Sequence, residues 1–347
     1  MNNTQVAERF KRAAIRTAAN PFLQIWGRIN ARCYDIDNTL IVASSGRGGS
    51  TWLAEIVGTL PGYPILYEPL NLKRNPDCLK YFSYSSYPQN VESNSLQNAY
   101  LRQIFTGANL SARLVLLSHF KPEQYLNFKG FIVKFIGLNL RLYPTLKQFP
   151  LRTLFMVRHP CAVVASQLRS PHWSWAHTLD WKHWEDHDSS LLGLLLECPT
   201  LFMEYPHLKE VQQRLRTPEE GLAFVWAVQN YLPLNQPKPH PWCLTTYEKL
   251  VVEGEQEIAR LFQYLGKPVP AQAYQHLKIP SSSTETSSNL ASGINPLSGW
   301  KNKLDHCQID NILNIVRQVG INFYSDNLEP AYRQLFASYE GTKVASK

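Results

Sequence analysis

The cysteines of this chain form no close pair. Cys33, Cys78, Cys161, Cys198, Cys243 and Cys307 lie far apart, without a CxxC spacing. That excludes the usual zinc modules and gives no disulfide framework, so reduced thiols in a cytoplasmic protein are expected. No apolar run reaches the ~18 residues of a membrane span. The first residues lack the apolar core of a secretory leader. Charge is also sparse, at 18% of residues, and its sign is not clustered. Thirty-five basic residues against 27 acidic ones give a net charge of +8. Because the basic residues are dispersed, a nucleic-acid-binding arm is not expected, whereas an anionic small ligand suits the surplus. With 44% hydrophobic residues among 347, the chain can bury a large core. No internal repeat is present.

One stretch organises the rest. Leu40–Leu53 reads LIVASSGRGGSTWL. Its first four residues are apolar and suit a short buried strand. Ser44, Ser45, Gly46, Arg47, Gly48, Gly49, Ser50 and Thr51 follow. Trp52, Leu53, Ile56 and Val57 then recur at helical spacing. Strand, glycine-serine loop and helix together form a phosphate cradle, because loop amides and the helix N-terminus converge on an anion. The nucleotide-binding P-loop would need G-x-x-x-x-G-K-[ST], and the Gly-Lys pair is missing. The basic residue, Arg47, lies inside the loop instead. No strand ends in an acid of the metal-holding type. Phosphate binding without an obligatory Mg²⁺ is therefore expected.

Other segments supply further candidates. Residues 1–38 read as a basic helical extension, with Phe10, Ala13, Ala14 and Ile15 on one face and Pro21 ending the helix. Such a helix can lie on a membrane, but its thin apolar face favours docking on the domain. Tyr63–Leu70 reads as extended, and Glu68 precedes Pro69, which disfavours helix there. Residues 71–112 are polar and read as an insertion of loops and short helices. Leu114–Leu117 and Phe131–Ile136 are strand-like, with His119 in the turn between them. Lys134 is flanked by apolar residues, so it calls for an anionic partner. Leu151–Val157 reads as a strand ending in Arg158. A helix then starts at Pro160 and carries Ser166 two turns on. Further helices are expected over Glu219–Leu232, Glu257–Leu265 and Ile309–Val319, and a last strand over Trp242–Thr246. The tail after Pro330 looks weakly structured.

Residues 171–188, PHWSWAHTLDWKHWEDHD, hold tryptophans, histidines and acids together. The histidine spacings lack the H-E-x-x-H pattern, so a metal site is not assigned. A lid of stacking aromatics suits the composition better. Trp173, Trp175, Trp181 and Asp180 are its candidate substrate contacts. Asp180, Glu185, Asp186 and Asp188 among the tryptophans would suit a cationic acceptor.

Four separated motifs now line up in order: S-G-R-G-G-S-T-W-L, V-R-H-P with a serine eight positions on, T-Y-E-K-L, and G-W-K-x-K-L. The chain resembles the PAPS-dependent sulfotransferase family over about Thr39 to Val319, and is most similar to its carbohydrate-type and bacterial branch. The resemblance implies a P-loop-like three-layer α/β fold, with a central parallel sheet of about four to five strands flanked by helices. It divides the chain into an extension 1–38, a domain 39–325 with acceptor-side insertions 71–112 and 171–215, and a tail 326–347. It implies 3′-phosphoadenosine 5′-phosphosulfate (PAPS) as sulfuryl donor and PAP as product, with no metal. Ser45–Thr51 would cradle the 5′-phosphosulfate, with Arg47 polarising the bridging oxygen. Arg158 and Ser166 would hold the 3′-phosphate. Trp52 and Tyr247 would contact adenine, and Trp300 and Lys301 would close over the cofactor. His159 and Cys161 replace residues common after the strand arginine, and Gly137 stands where that branch often has an arginine.

The implied reaction moves a sulfuryl group from PAPS to a hydroxyl or amine of a small-molecule, natural-product or carbohydrate acceptor. Glu68 is the first candidate base and His119 the second, with Lys134 assisting at the sulfuryl oxygens. Two alternatives stand beside it. One is a small-molecule kinase with a degenerate loop, which needs Mg²⁺ and ATP. The other is a PAP-binding relative without turnover.

Overall fold

The computed structural model describes residues 3–71, 74–82, 96–116, 120–170, 173, 199–282 and 296–337, with side chains from residue 17 onward except 79 and 199. Five short strands make the central sheet: β1 (Leu40–Ser44), β2 (Ile65–Tyr67), β3 (Ile132–Phe135), β4 (Arg152–Val157) and β5 (Cys243–Thr246). Their order is β2-β3-β1-β4-β5 and every neighbouring pair is parallel. Val42 of β1 stands beside Lys134 of β3 on one side and Leu154 of β4 on the other. All five carboxyl ends therefore open on one edge of the sheet, with β1 in the middle. In open α/β sheets, the crevice beyond that edge is where ligands bind.

The strands are mostly apolar because both faces are covered, with Lys134 of β3 and Thr245 and Thr246 of β5 among the buried polar exceptions. Successive residues alternate between the two layers. Leu40, Val42, Ile132, Leu154 and Met156 pack with Trp52, Leu53, Ile56 and Val57 of helix α2 (Ser50–Val57) and with the helix Gly254–Leu265. Ile41, Ala43, Val133, Phe135, Phe155 and Val157 face the opposite layer. That layer contains α3 (Leu96–Thr106), α5 (Leu142–Gln148), α6 (Pro160–Gln167) and the helices Pro218–Leu234 and His306–Val319. This is the three-layer α/β architecture expected from the sequence. The helix Pro218–Leu234 begins with a Thr217/Glu220 capping box, which satisfies two of the helix's orphan N–H groups. Its Trp226 is fully buried.

Three sequence-based expectations are corrected. Helix α1 runs Asn3–Asn30, straight past Pro21. A proline inside a helix removes one hydrogen bond, but packing beyond it outweighs that loss. Leu23 is fully buried, and the Trp26 ring meets Tyr125, Phe128 and Phe131 edge-on at 5.1, 4.9 and 6.1 Å. The Asn20 side chain accepts from the Ala112 N–H at 2.9 Å, further pinning α1 down. Second, Leu114 and Val115 form no strand. They are buried by packing alone, and the Leu114 carbonyl accepts from the Tyr67 N–H at 2.8 Å, on the outer edge of β2. Third, the tail holds a further short helix, Tyr332–Phe336, anchored by buried Leu335. Within the polar stretch 71–112, read as loops and short helices, Tyr100, Leu101, Ile104 and Phe105 of α3 belong to the main core. At the other end of the sheet, Arg260 donates to the Leu244 carbonyl of β5 at 2.8 Å.

At Gly27, α1 approaches the domain too closely for a side chain. A Cβ there would stand 2.4 Å from the Gly107 carbonyl oxygen and 2.9 Å from Leu110 Cβ. Gly27→Ala is expected to lower stability by about 1–3 kcal/mol through overpacking against backbone. A shift of the urea midpoint at unchanged m-value checks this.

Candidate functional site

The chain leaves β1 in a tight turn, with the Gly48 N–H donating to the Ser45 carbonyl at 3.0 Å. Arg47 takes the left-handed conformation at φ 67°, and Gly49 does so at 97°. Gly49 also gives way to a neighbour: a Cβ there would lie 2.7 Å from the Tyr247 ring and 3.1 Å from Met156 Sδ. Helix α2 starts directly afterwards, and its N-cap is Gly49, which has no side chain to cap the N–H groups of its first turn. The hydroxyls of Ser44 and Ser45 are buried and find no partner among the described residues. Unsatisfied buried donors are costly to leave. Hydroxyls, loop amides and a helix N-terminus together make a donor set that fits an anion.

Two guanidinium groups complete this corner. Arg47 Nε donates to Ser166 Oγ at 2.8 Å, which ties the loop to α6. Arg158, at the end of β4, donates to the Arg47 carbonyl at 3.3 Å and lies 3.9 Å over the Tyr247 ring. Its Nε is buried without a partner among the described residues. Tyr247 begins the helix Tyr247–Val252 immediately after β5, and its ring meets Trp52 at 5.3 Å. The Trp52 indole N–H donates to the His276 carbonyl at 3.0 Å. The structure thus brings Ser45–Trp52, Arg158, Ser166 and Tyr247 together, although the chain separates them by up to 202 positions (247 − 45). Trp173 joins them. A Cβ on Gly46 would stand 2.9 Å from its ring, so an aromatic face lies against the loop.

A second cluster stands at the ends of β2 and β3. Lys134 is 3% exposed and its ammonium pairs with the Glu68 carboxylate, supplying the anionic partner that its burial demands. The Glu68 N–H also donates to the Lys134 carbonyl at 2.8 Å. Asn71 donates to Glu68 at 3.2 Å and Arg74 lies 3.9 Å away. Burial alone would raise the Glu68 carboxyl. Lys134, then Arg74 and Asn71, outweigh it and hold the carboxyl below its ordinary range. Glu68 has a φ of 50°. Among the described residues, Arg47 and Glu68 are the non-glycine residues with positive φ. Such backbone costs on the order of 1–3 kcal/mol per residue and persists where surrounding structure enforces it.

Trp300 and Lys301 separate. The Trp300 ring is buried and stacks on His159 at 4.6 Å, whereas Lys301 is exposed with its ammonium 5.3 Å from the Trp300 ring. His159 sits directly behind Arg158. Its Nδ1 accepts from the Cys161 N–H at 3.2 Å, so Nε2–H donates to the Ser325 carbonyl at 2.9 Å. Burial, with Arg158 and Lys301 nearby, holds this imidazole down at about 4. The His159 backbone N–H donates to Glu248 at 2.8 Å, and the Tyr324 hydroxyl donates to the same carboxylate at 3.1 Å. Burial pushes Glu248 up to about 7 despite these donors and Arg158.

Sequence reasoning missed Glu248, although it stands inside the T-Y-E-K-L motif beside Tyr247. It also missed Tyr324 and Gln167, whose amide donates to the Gly46 carbonyl at 3.0 Å. His119, Trp175, Asp180 and Trp181 lie outside the described residues. Among the described residues no group of three or more His, Cys, Asp and Glu side chains gathers to hold a metal.

Neither protein-family models nor curated proteins give a match to this chain. Among solved structures, the chain is similar to the sulfotransferase domain from the Synechococcus PCC 7002 olefin synthase, at 15% identity and a TM-score of 0.41, covering 82% of this chain and 95% of that one. The sulfotransferase domain from the curacin biosynthetic pathway gives 17%, 0.38, 82% and 97%. Mouse sulfotransferase SULT7A1 complexed with PAP gives 13%, 0.40, 84% and 87%. At identities and TM-scores this low, the likeness assigns neither activity nor ligand to this chain.

The buried pair behind Arg158 generates a pH prediction. Glu248 holds its proton to about 7 when folded and to 4.5 when unfolded, so its contribution to stability falls as pH rises through that range. His159 gives up its proton at about 4 when folded and at 6.5 when unfolded, so its contribution rises with pH between those values. In the wild type the two slopes oppose each other. Relative to it, Glu248→Gln is expected to gain stability on going from acid to neutral pH, and His159→Asn to lose it, each by on the order of 3 kcal/mol. Urea melts of the three proteins at stepped pH test both signs.

Proposed function

We propose that this chain is a sulfotransferase that moves the sulfuryl group of PAPS to an acceptor hydroxyl or amine and releases PAP. One observation carries the reading. Arg47 and Glu68, the two non-glycine residues held in left-handed backbone among those described, stand at the carboxyl ends of β1 and β2. Strain concentrated at two charged residues on the ligand edge of a parallel sheet is a signature of a working site.

The chemistry assigns each residue a task. The loop amides, with the orphaned hydroxyls of Ser44 and Ser45, bind the 5′-phosphosulfate. Transfer breaks the bond between sulfur and the bridging oxygen, and the electron pair stays on the phosphate. Arg47 stabilises that growing charge from a position fixed before reaction, which is where electrostatic catalysis is most effective. Arg158 and Ser166 take the 3′-phosphate, and Tyr247 and Trp52 offer aromatic faces to the adenine. Lys301 is the exposed cation of the closing loop, and buried Trp300 supports that loop from inside.

The acceptor must lose a proton as it attacks sulfur. Glu68 is the base, in the arrangement of the carbohydrate-type and bacterial branch, and His119 is the second candidate. With its carboxyl held down by Lys134, Glu68 is ionised at neutral pH and ready to accept. As Lys134 turns toward the sulfuryl oxygens, Glu68 loses its main counter-charge and binds the proton more strongly. Trp173 against Gly46 gives the acceptor side an aromatic wall, which suits a small molecule, natural product or sugar ring. A metal ion has no task in this scheme.

Calorimetric titration with PAP, with and without Mg²⁺, tests the reading. Metal-independent micromolar binding is expected, weakened about ten- to hundredfold in Arg158→Ala by loss of a charged hydrogen-bonding partner. Lack of PAP binding, or binding of ATP only in the presence of Mg²⁺, would overturn it in favour of the kinase. PAP binding without sulfuryl transfer to any hydroxyl or amine acceptor would point to a non-catalytic relative.

A further inference from the structure

Helix α1 has two sides with opposite fates. Leu23 and Trp26 lock it onto Tyr125, Phe128 and Phe131. On its outer side Phe22 is 45% exposed, and Ile25 and Ile29 are each 60% exposed. Residues spaced three and four apart share a helix face, so these three form one stripe. The stripe runs beside α4 (Pro122–Leu126). There Tyr125 touches the Phe22 ring at 6.4 Å, and its neighbour Leu126 is 81% exposed. The other exposed large apolar residues among those described, such as Met203 and Val252, lie elsewhere in the chain. Isolated ones need no explanation, but a contiguous patch does.

The charges around this patch decide its partner. Arg28 and Arg32 are exposed and follow Ile25 and Ile29 by three positions. Lys129 is exposed just beyond α4, and Glu123 is the exposed acid on α4 itself. In sequence, α1 carries Arg9, Lys11, Arg12 and Arg16 against Glu8 alone. A second copy of a chain with net charge +8 would bring this same basic rim against itself in a two-fold contact. An anionic lipid surface complements the rim and takes up the apolar stripe.

We propose that the outer face of α1, with Leu126, seats the protein on the surface of an anionic bilayer. No helix among the described residues is long and apolar enough to cross a membrane. The stripe enters the headgroup boundary, and Arg28, Arg32 and Lys129 meet lipid phosphates. Because Trp26 and Leu23 fix the helix to the core, the whole domain is held at the surface. This attachment does not depend on the reaction proposed above.

Co-sedimentation with extruded vesicles tests it. The full chain is expected to pellet with vesicles containing about 30 mol % phosphatidylglycerol in phosphatidylcholine, and much less with pure phosphatidylcholine or in high salt. Ile25→Asp/Ile29→Asp should weaken binding about tenfold or more by placing charge in the stripe. Arg28→Glu/Arg32→Glu should abolish the preference for anionic vesicles. Unchanged thermal unfolding shows that the variants remain folded, as expected for exposed positions. The proposal fails if neither vesicle pellets the protein, or if the double aspartate variant binds as well as the wild type. It also fails if light scattering shows a dimer that this variant dissociates, since the stripe then covers a second copy.

Discussion

The register that places β1 between β3 and β4 is the constraint on which everything else depends. It sets Val42 level with Lys134 and Leu154, and Ser44 level with Met156. The turn after β1 therefore emerges beside the ends of both neighbours. Arg158 can reach the Arg47 carbonyl only because β4 ends beside that turn. Shifting a strand by one residue would turn every side chain to the other layer. It would expose Val42 or Ile41 to the wrong partners and pull the two arginines apart. Apolar packing on both faces thus fixes the distances between charges at the edge.

The same edge divides its charges by depth. Cationic and hydroxyl groups face the crevice, while the acid Glu248 stands behind them, buried, and receives the His159 N–H and the Tyr324 hydroxyl. This arrangement links three parts of the chain: the end of β4, the start of the helix after β5, and the segment around Ser325. Arg158 is held from the back by that link and from the side by the Tyr247 ring. Its placement does not rely on a ligand, so the crevice is preorganised for charge of the opposite sign.

Much of this was legible in the sequence, because the strands are short, mostly apolar and followed at once by distinctive residues. The loop at 44–51, the strand end at Arg158 and the call of Lys134 for an acid are local or elementary signals, and the structure brings them together. Where the reading failed, a longer-range interaction won. Pro21 marks a helix end by local rule, but the aromatic nest around Trp26 keeps the helix going. Leu114 and Val115 have strand-like composition, but they lie outside the sheet and are buried by packing. The partnership of Glu248 with His159 and Tyr324 spans 89 and 76 positions, and no spacing rule announces it.

The two outermost strands have a consequence for how these molecules meet one another. An open sheet edge offers its backbone to any neighbouring chain, which is how strands recruit copies into fibres. Here β2 has only three residues, and its outward Tyr67 N–H is already taken by the Leu114 carbonyl. At the far edge, the Arg260 guanidinium occupies the Leu244 carbonyl and places a charge there. The stretch around Leu114 that failed to become a sixth strand therefore acts as a guard. It lies close enough to satisfy the edge and is too irregular to extend it. Each outer strand thus has a backbone group already taken, which hinders recruitment of a second chain by strand pairing.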